Sequence, residues 1–407
     1  MQLLYSKKRM ILFYCANALL YLASGFAHPV TPTLFQDLHL QNYMFGYALA
    51  AMMATYFLFS PFWGELNNFI SSRVILLICC FGYSVGQIFF LRARTEMQFI
   101  WARVFAGAFL CGIFVVIMNY IVHTSPDETQ RSVRLTTNAT LQSVSSAFGF
   151  FVGGMIGSIK TEYAIIAQIT LLALCGVFFF LVCENDAKTP IKELKFSSVV
   201  KKANPFAAFM SSGQFLTPLL AVLFVVCALH NLGSTGFDQT FNYYIKDQFQ
   251  FSSAYNGALK AAMGLITLIA NSTICVYFIK KTNVKKSAFG MLALCSATML
   301  WILFINQITL FLGVNVFFFA FASVCHPLLQ SIVASNAKGG NSNLVMGFYN
   351  AVRGLGGVFG AAASGGLYMF NPKYPFVCCL IAFLLAAALA FLYYRGSLKK
   401  EKADALL

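Results

Sequence analysis

The chain has 407 residues, 59% of them hydrophobic and only 10% charged, and its formal net charge is +15. So few charges exclude an ordinary soluble domain, in which about a quarter of residues are charged. Most of the 28 Lys and Arg residues are spread over the loops and tails flanking long apolar stretches, which also excludes a nucleic-acid partner, since that would need one concentrated basic face.

In chain order the apolar stretches lie near 10–33, 43–63, 73–92, 97–121, 136–158 and 162–183, and then near 216–244, 253–279, 287–304, 308–333, 344–368 and 374–394. Each approaches or exceeds the roughly 20 residues that a helix needs to cross the hydrocarbon layer. Lipid offers no hydrogen bonds to an open backbone, and the stretches lack the alternation of a barrel strand. The predicted fold is therefore all-α: a polytopic membrane protein with twelve transmembrane helices in two pseudo-symmetric six-helix bundles. The one long interruption, 184–215, is charged and rich in lysine. It divides the chain into an N-terminal bundle (1–183), a cytoplasmic linker (184–215) and a C-terminal bundle (216–407).

Most of the Lys and Arg residues fall on one side of these spans, including Lys7, Lys8, Arg9, Arg73, Arg131, Arg134, the run from Lys188 to Lys202, Lys280, Lys281, Lys285, Lys286, Lys338 and the tail from Arg395. The other side holds Arg92, Arg94, Lys160, Lys246 and Lys373. The positive-inside bias then places both termini and the linker in the cytoplasm, with the chain in a plasma or bacterial inner membrane. The basic triplet before the first span resembles a signal peptide, but the apolar run continues too far and is read as a retained first helix. The twelve cysteines lie singly or as neighbours without CxxC spacing and read as small core residues. The glycosylation-like triplets at Asn138 and Asn271 lie in or beside predicted spans and carry no meaning for secretion.

Two equal halves joined by a linker match transporters whose halves rock about a site near the bilayer midplane. No GxxxxGK[ST] loop occurs, so an ion gradient is the expected energy source and ATP is not. The loop after the second span, Gly64 to Arg73, reads GELNNFISSR. It resembles the GxLaDrxGrk loop of the major facilitator superfamily, with Gly64, Leu66 and Arg73 matching, Asn68 replacing the Asp and Ser71 the second Gly. Arg103 and Gly107 in the fourth span are similar to the family's RxxxG motif, and Pro126 to Arg131 to its PxxxxR stretch. Gly149, Gly153 and Gly154 in the fifth resemble the GPxxGG motif of the drug/proton antiporter branch, with Phe150 in place of the proline. The resemblance spans the whole chain. It implies the two-bundle fold, alternating access and a substrate surrounded by spans 1, 4, 7 and 10.

Polar residues recur at steps of three and four on several spans, as cavity-lining or helix-joining groups do. In the first span these are Tyr14, Asn17, Tyr21, Ser24 and His28; the seventh has His230, Asn231, Thr235, Asp238, Gln239 and Asn242; the eighth has Asn256, Lys260, Thr267 and Asn271. His326 in the tenth span and Asn350 and Arg353 in the eleventh complete the predicted substrate cavity. Four charged residues lie inside spans: Arg103, Asp238, Lys260 and Arg353. Asp238 is the only acid deep in a predicted span. It is either one half of a fixed ion pair with Lys260 or Arg103, or a proton carrier whose pKa is balanced between burial and a nearby cation. The predicted coupling group is Asp238 with Arg103 and His230. The histidines are too dispersed to bind a metal, and no cofactor is expected.

The predicted partners are a small-molecule substrate, protons or another coupling ion, and the bilayer, with the chain a monomer. The first function reading is proton-coupled efflux of a lipophilic or amphipathic compound, which the 44 phenylalanines would suit. The alternative is uptake or exchange of a sugar, organic anion or phosphorylated metabolite, because intramembrane cations outnumber the single acid. A lipid flippase would use the same scaffold. An enzyme is not expected, since no HExxH or nucleophile-base cluster occurs.

Overall fold

The computed structural model describes residues 7–186, 196–305, 307–336 and 342–404. The linker stretch 187–195, with Lys188, and Lys338 lie outside the described residues. Every regular element among the described residues is helical. The chain runs through α1 (Lys7–Gly25), α2 (Thr31–Asp37), α3 (Met44–Leu66), α4 (Ser72–Arg92), α5 (Glu96–Thr124), α6 (Glu128–Ile159) and α7 (Thr161–Val182). Two short helices follow, α8 (Phe196–Lys202) and α9 (Ala207–Met210), and then α10 (Pro218–Asp247) and α11 (Ser253–Ala270). The last elements are α12 (Val276–Lys281), α13 (Val284–Phe304), α14 (Ile308–Asn336), α15 (Ser342–Tyr368) and α16 (Tyr374–Asp404).

Among the described residues ten helical stretches are long and apolar enough to cross a membrane, against the twelve expected. The two that fall outside this set are α1 and α15, at 19 and 27 residues. Both have the length, but α1 opens on Lys7-Lys8-Arg9, and α15 is diluted by glycine, serine, asparagine and Arg353. Those polar positions are what a helix facing the interior of a bundle needs, and they lower its hydropathy.

The first predicted span is also shorter than expected. Its helix ends at Gly25, residues 26–30 form turns, and α2 begins with a proline in its first turn. Pro29 lacks an N–H and biases His28 out of the helical region, so the helix closes before it. His28 therefore sits in a turn and not, as expected, on a helix. The eighth predicted span is likewise interrupted, by a π turn at Asn271–Cys275, an irregularity that re-aims side chains within a helix.

The chain forms two compact units. One consists of Met1–Gln41, Ala51–Pro205 and Ile245–Gly264; the other of Asn42–Ala50, Phe206–Tyr244 and Leu265–Leu407. In the first, the rings of Phe13, Tyr120 and Phe179 meet at 4.9 and 6.0 Å in the core. In the second, Phe237, Phe241, Phe311 and Phe318 stack in a buried column, Phe237 and Phe318 at 4.0 Å. Many of the phenylalanines thus fill cores. The cysteines are free thiols and mostly buried; the sulfurs of Cys295 and Cys325 are 3.9 Å apart.

Candidate functional site

In the first unit the antiporter-like glycines make a seam. A side-chain carbon on Gly149 would strike the carbonyl of Leu22, and one on Gly153 would strike the backbone of Phe26, so α6 lies directly on α1. On the neighbouring face, Gly154 opposes Ser253 and Gly257 of α11. Small residues allow this because association within lipid depends on close van der Waals packing rather than on expelling water. Gly107 plays the same part for α5 against the Met52 carbonyl of α3, whereas Gly64 has only an ordinary contact with Val115.

The second unit repeats the arrangement. Gly356 and Gly360 of α15 lie on the carbonyls of Ala228 and Leu232 of α10, and Gly365 opposes Tyr43 and Gly46 at the start of α3. Gly149, Gly153 and Gly154 were legible as a motif, whereas the α15 glycines match none of the family motifs read in the sequence.

Polar groups cluster along the first seam. Asn17 is fully buried, and its side-chain amide has no hydrogen-bond partner among the described residues. One turn on, Tyr21 and Asn138 are joined through the phenol and the amide at 3.0–3.3 Å, and the Tyr21 ring stacks on Phe114. Asn138 is thus an interior joint, as its place in a span implied. The His28 ring meets Phe150 edge-on at 5.3 Å. Asn256 donates to the Pro29 carbonyl, and Lys260, one turn further on α11, is buried. The Arg103 guanidinium lies 3.9 Å over the Phe90 ring, with Met52 sulfur 3.7 Å away. Its charge is thereby partly met by an aromatic face inside this unit.

In the second unit Asp238 is half-buried on α10 and accepts from Gln239 at 3.3 Å. His230 is buried, 3.4 Å from the Ser234 hydroxyl and edge-on to Phe383. Asn231 donates to the Arg353 carbonyl at 2.6 Å and accepts, at 3.5 Å, from the same residue's guanidinium, which also lies over the Tyr349 ring. His326, preceding Pro327 in α14, is close enough to feel both Arg353 and His230 electrostatically. The structure therefore brings His230, Asn231, His326 and Arg353 into one neighbourhood. Asn350, by contrast, is exposed. Asp238 belongs to the second unit and Arg103 and Lys260 to the first.

A further cluster lies where α3, α5 and α7 end and α4 begins, and the sequence did not announce it. Asp186, just past α7, is buried and accepts from the Ser72 backbone N–H at 2.7 Å and the Ser72 hydroxyl at 2.5 Å. His123 stands 3.5 Å from the same carboxylate. Asn67 bridges Ser72, the Ile70 carbonyl and Asn119. Asn68, at the position of the family's Asp, donates to Glu65, and Arg73 lies over Phe180. Asp186 thus caps the start of α4, meeting a buried backbone N–H that the helix leaves unpaired and the positive end of the helix dipole. Ser71, in the N-cap position, makes no side-chain cap of its own. No local spacing could reveal Asp186, because it comes from 114 residues away. Outside the spans, Lys160 is held 2.9 Å from Glu162; that hydrogen bond, then the carboxylate charge, pushes the lysine pKa up.

The chain is similar over most of its length to several characterised proteins. It is 21% identical to Multidrug resistance protein 2 of Bacillus subtilis over 95% of this chain and 94% of the relative. It is 20% identical to the Quinolone resistance protein NorA of Staphylococcus aureus, covering 97% and 99%. Among solved structures, the human organic anion transporter MFSD10 superposes with a TM-score of 0.66 at 19% identity, over 95% of this chain and 100% of that one. The nucleoside transporter NupG does so with 0.73 at 11% identity, over 95% and 98%. The Major Facilitator Superfamily model matches residues 13–281 and 229–406. With the helical scaffold and the paired glycine seams, that match shows that the chain belongs to the Major Facilitator Superfamily of membrane transporters.

Proposed function

We propose that the protein is a secondary active transporter that exports lipophilic or amphipathic compounds by alternating access, coupled to proton entry. The observation that carries this reading is the end-to-end similarity to multidrug and quinolone resistance proteins. In this reading residues 1–183 and 216–407 are the two six-helix bundles, 184–215 is the cytoplasmic linker, and the monomer lies in a cell membrane with both termini in the cytoplasm. Asp238 carries the proton, because it stands well inside α10 while other acids in the described helices lie at or near helix ends. A carboxyl there can be neutral when buried and charged when wet, so a modest movement changes its proton affinity. His230, two turns earlier on the same helix, is the proposed relay, and Arg103 a fixed positive charge that biases the proton's release. Asn17, Tyr21, His28 and Lys260 in the first unit, and Asn231, Gln239, His326, Asn350 and Arg353 in the second, are the proposed substrate-contacting groups.

A second reading has one observation in its favour: Arg353, His230 and His326 share a neighbourhood in the second unit. The Arg353 charge, with imidazole groups beside it that can donate an N–H, suits an organic anion or phosphorylated metabolite better than a cation. Proteoliposomes with an imposed pH gradient separate the two. Gradient-driven accumulation of lipophilic cations, lost in Asp238→Asn while the variant keeps its thermal unfolding midpoint, is the expected result. Full coupling in Asp238→Asn would remove the proton-carrier role, and selective movement of small anions would favour the second reading.

A further inference from the structure

On the outer surface of the first unit, near the end of α4 and the start of α5, there is a groove of about 680 Å³. Its floor is made of short buried residues, Thr55, Ala93 and Ala102, between the exposed rings of Phe59, Phe89 and Trp101. The cleft exists because three small side chains lie among large ones. In the bilayer such a cleft must be filled, and its size falls within the range of about 300–1,000 Å³ typical of small-molecule sites.

The mouth of the groove has a defined charge. Arg92, in the last turn of α4, lines it and has no hydrogen-bonding or acidic partner among the described residues. Neighbouring Arg94 is tied back to the carbonyls of Leu91 and Ala93. Gln98, also on the lining, uses its oxygen to accept from the backbone of Arg94 and Thr95, so it can offer a ligand only its NH₂ group. The acid on this stretch, Glu96, is engaged with the backbone of Gln41. The mouth therefore presents a cation and N–H donors over an apolar cleft. Trp101, in the second turn of α5, marks the level where indole rings settle at the membrane–water interface.

We propose that this groove is a binding site for an anionic phospholipid, one acyl chain lying between Phe59, Phe89 and Trp101 and the headgroup phosphate on Arg92. An arginine at a helix end reaches its charge toward the headgroup layer while its stem covers apolar surface. A choline or amine headgroup would find no free carboxylate at this mouth. The site is separate from the proposed transport residues, so it stands whatever the substrate is.

Quenching of tryptophan fluorescence tests the assignment. The full chain is reconstituted in phosphatidylcholine vesicles in which increasing fractions of either phosphatidylglycerol or phosphatidylcholine carry brominated chains. The difference between the wild type and Trp101→Phe gives the signal of Trp101 alone. Brominated phosphatidylglycerol should quench that signal at a several-fold lower fraction than brominated phosphatidylcholine, and Arg92→Gln should make the two curves coincide. Arg92 is exposed, so the variant is expected to keep its unfolding midpoint. Equal quenching by the two lipids in the wild type, preference for the choline lipid, or a preference that survives Arg92→Gln would each overturn the proposal.

Discussion

Gly149 and Gly153 of α6 rest on Leu22 of α1 and on Phe26 just past its end, while in the other unit Gly356 and Gly360 of α15 rest on Ala228 and Leu232 of α10. Each seam uses two glycines four residues apart against two residues four apart, one helical turn in each case. The groups beside the seams differ. The first carries a neutral joint, Tyr21 to Asn138, and the second a charged one, Asn231 to Arg353. The helix starts next to the basic loops differ as well. In the first unit a remote carboxylate, Asp186, caps α4, whereas in the second the local amide of Asn283 caps α13 through Lys285 and Lys286. The lesson is that backbone-to-backbone approach is fixed by geometry and recurs in both units, while the polar groups laid along it vary independently.

The sharpest way to break this comparison is to add a side chain to each seam. Gly153→Val and Gly360→Val should each cost at least about 3 kcal/mol, the upper part of the overpacking range, because the new atoms meet backbone that cannot rotate away. Thermal unfolding of the purified variants reads this, and tolerance at one seam alone would end the equivalence. Next in size is the contrast between caps. Asp186→Ala leaves a buried N–H and hydroxyl unmet and should cost about 1–3 kcal/mol, more than Asn283→Ala at about 1 kcal/mol; equal losses would reduce Asp186 to an ordinary cap. A smaller effect belongs to Tyr21→Phe, about 0.5–1.5 kcal/mol for one hydrogen bond, with Asn231→Ala falling in the same range. Transport should separate that last pair: Asn231→Ala removes a group that orients Arg353, and its substrate KM should change several-fold more than that of Tyr21→Phe.

Several of these features could be read from residues in order and others could not. The spans were legible because lipid imposes a length and a composition on any helix that crosses it. Gly149, Gly153 and Gly154 were legible as a motif, and their contacts with α1 and α11 account for it. Asn68 was identified as the missing acid of the α3–α4 loop, but the carboxylate beside that loop comes from Asp186, in a charged stretch where no pattern sets it apart. Arg103 was read for its charge alone, and its position over Phe90 and Met52 depends on α3 and α4. His28 was placed on a helix because the apolar run continues past it, yet Pro29 ends the helix first.

By itself the sequence determined that this chain is an all-helical membrane protein, because a hydrocarbon solvent leaves the backbone no other way to satisfy its polar groups over so many apolar stretches. It also determined where small residues would permit close helix contact. Only the tertiary structure decided which polar side chains meet: Tyr21 with Asn138, Asn231 with Arg353, Asp186 with Ser72. Those partners lie more than 100 residues apart, and helical periodicity shows which face a residue occupies but not which helix comes to lie against it.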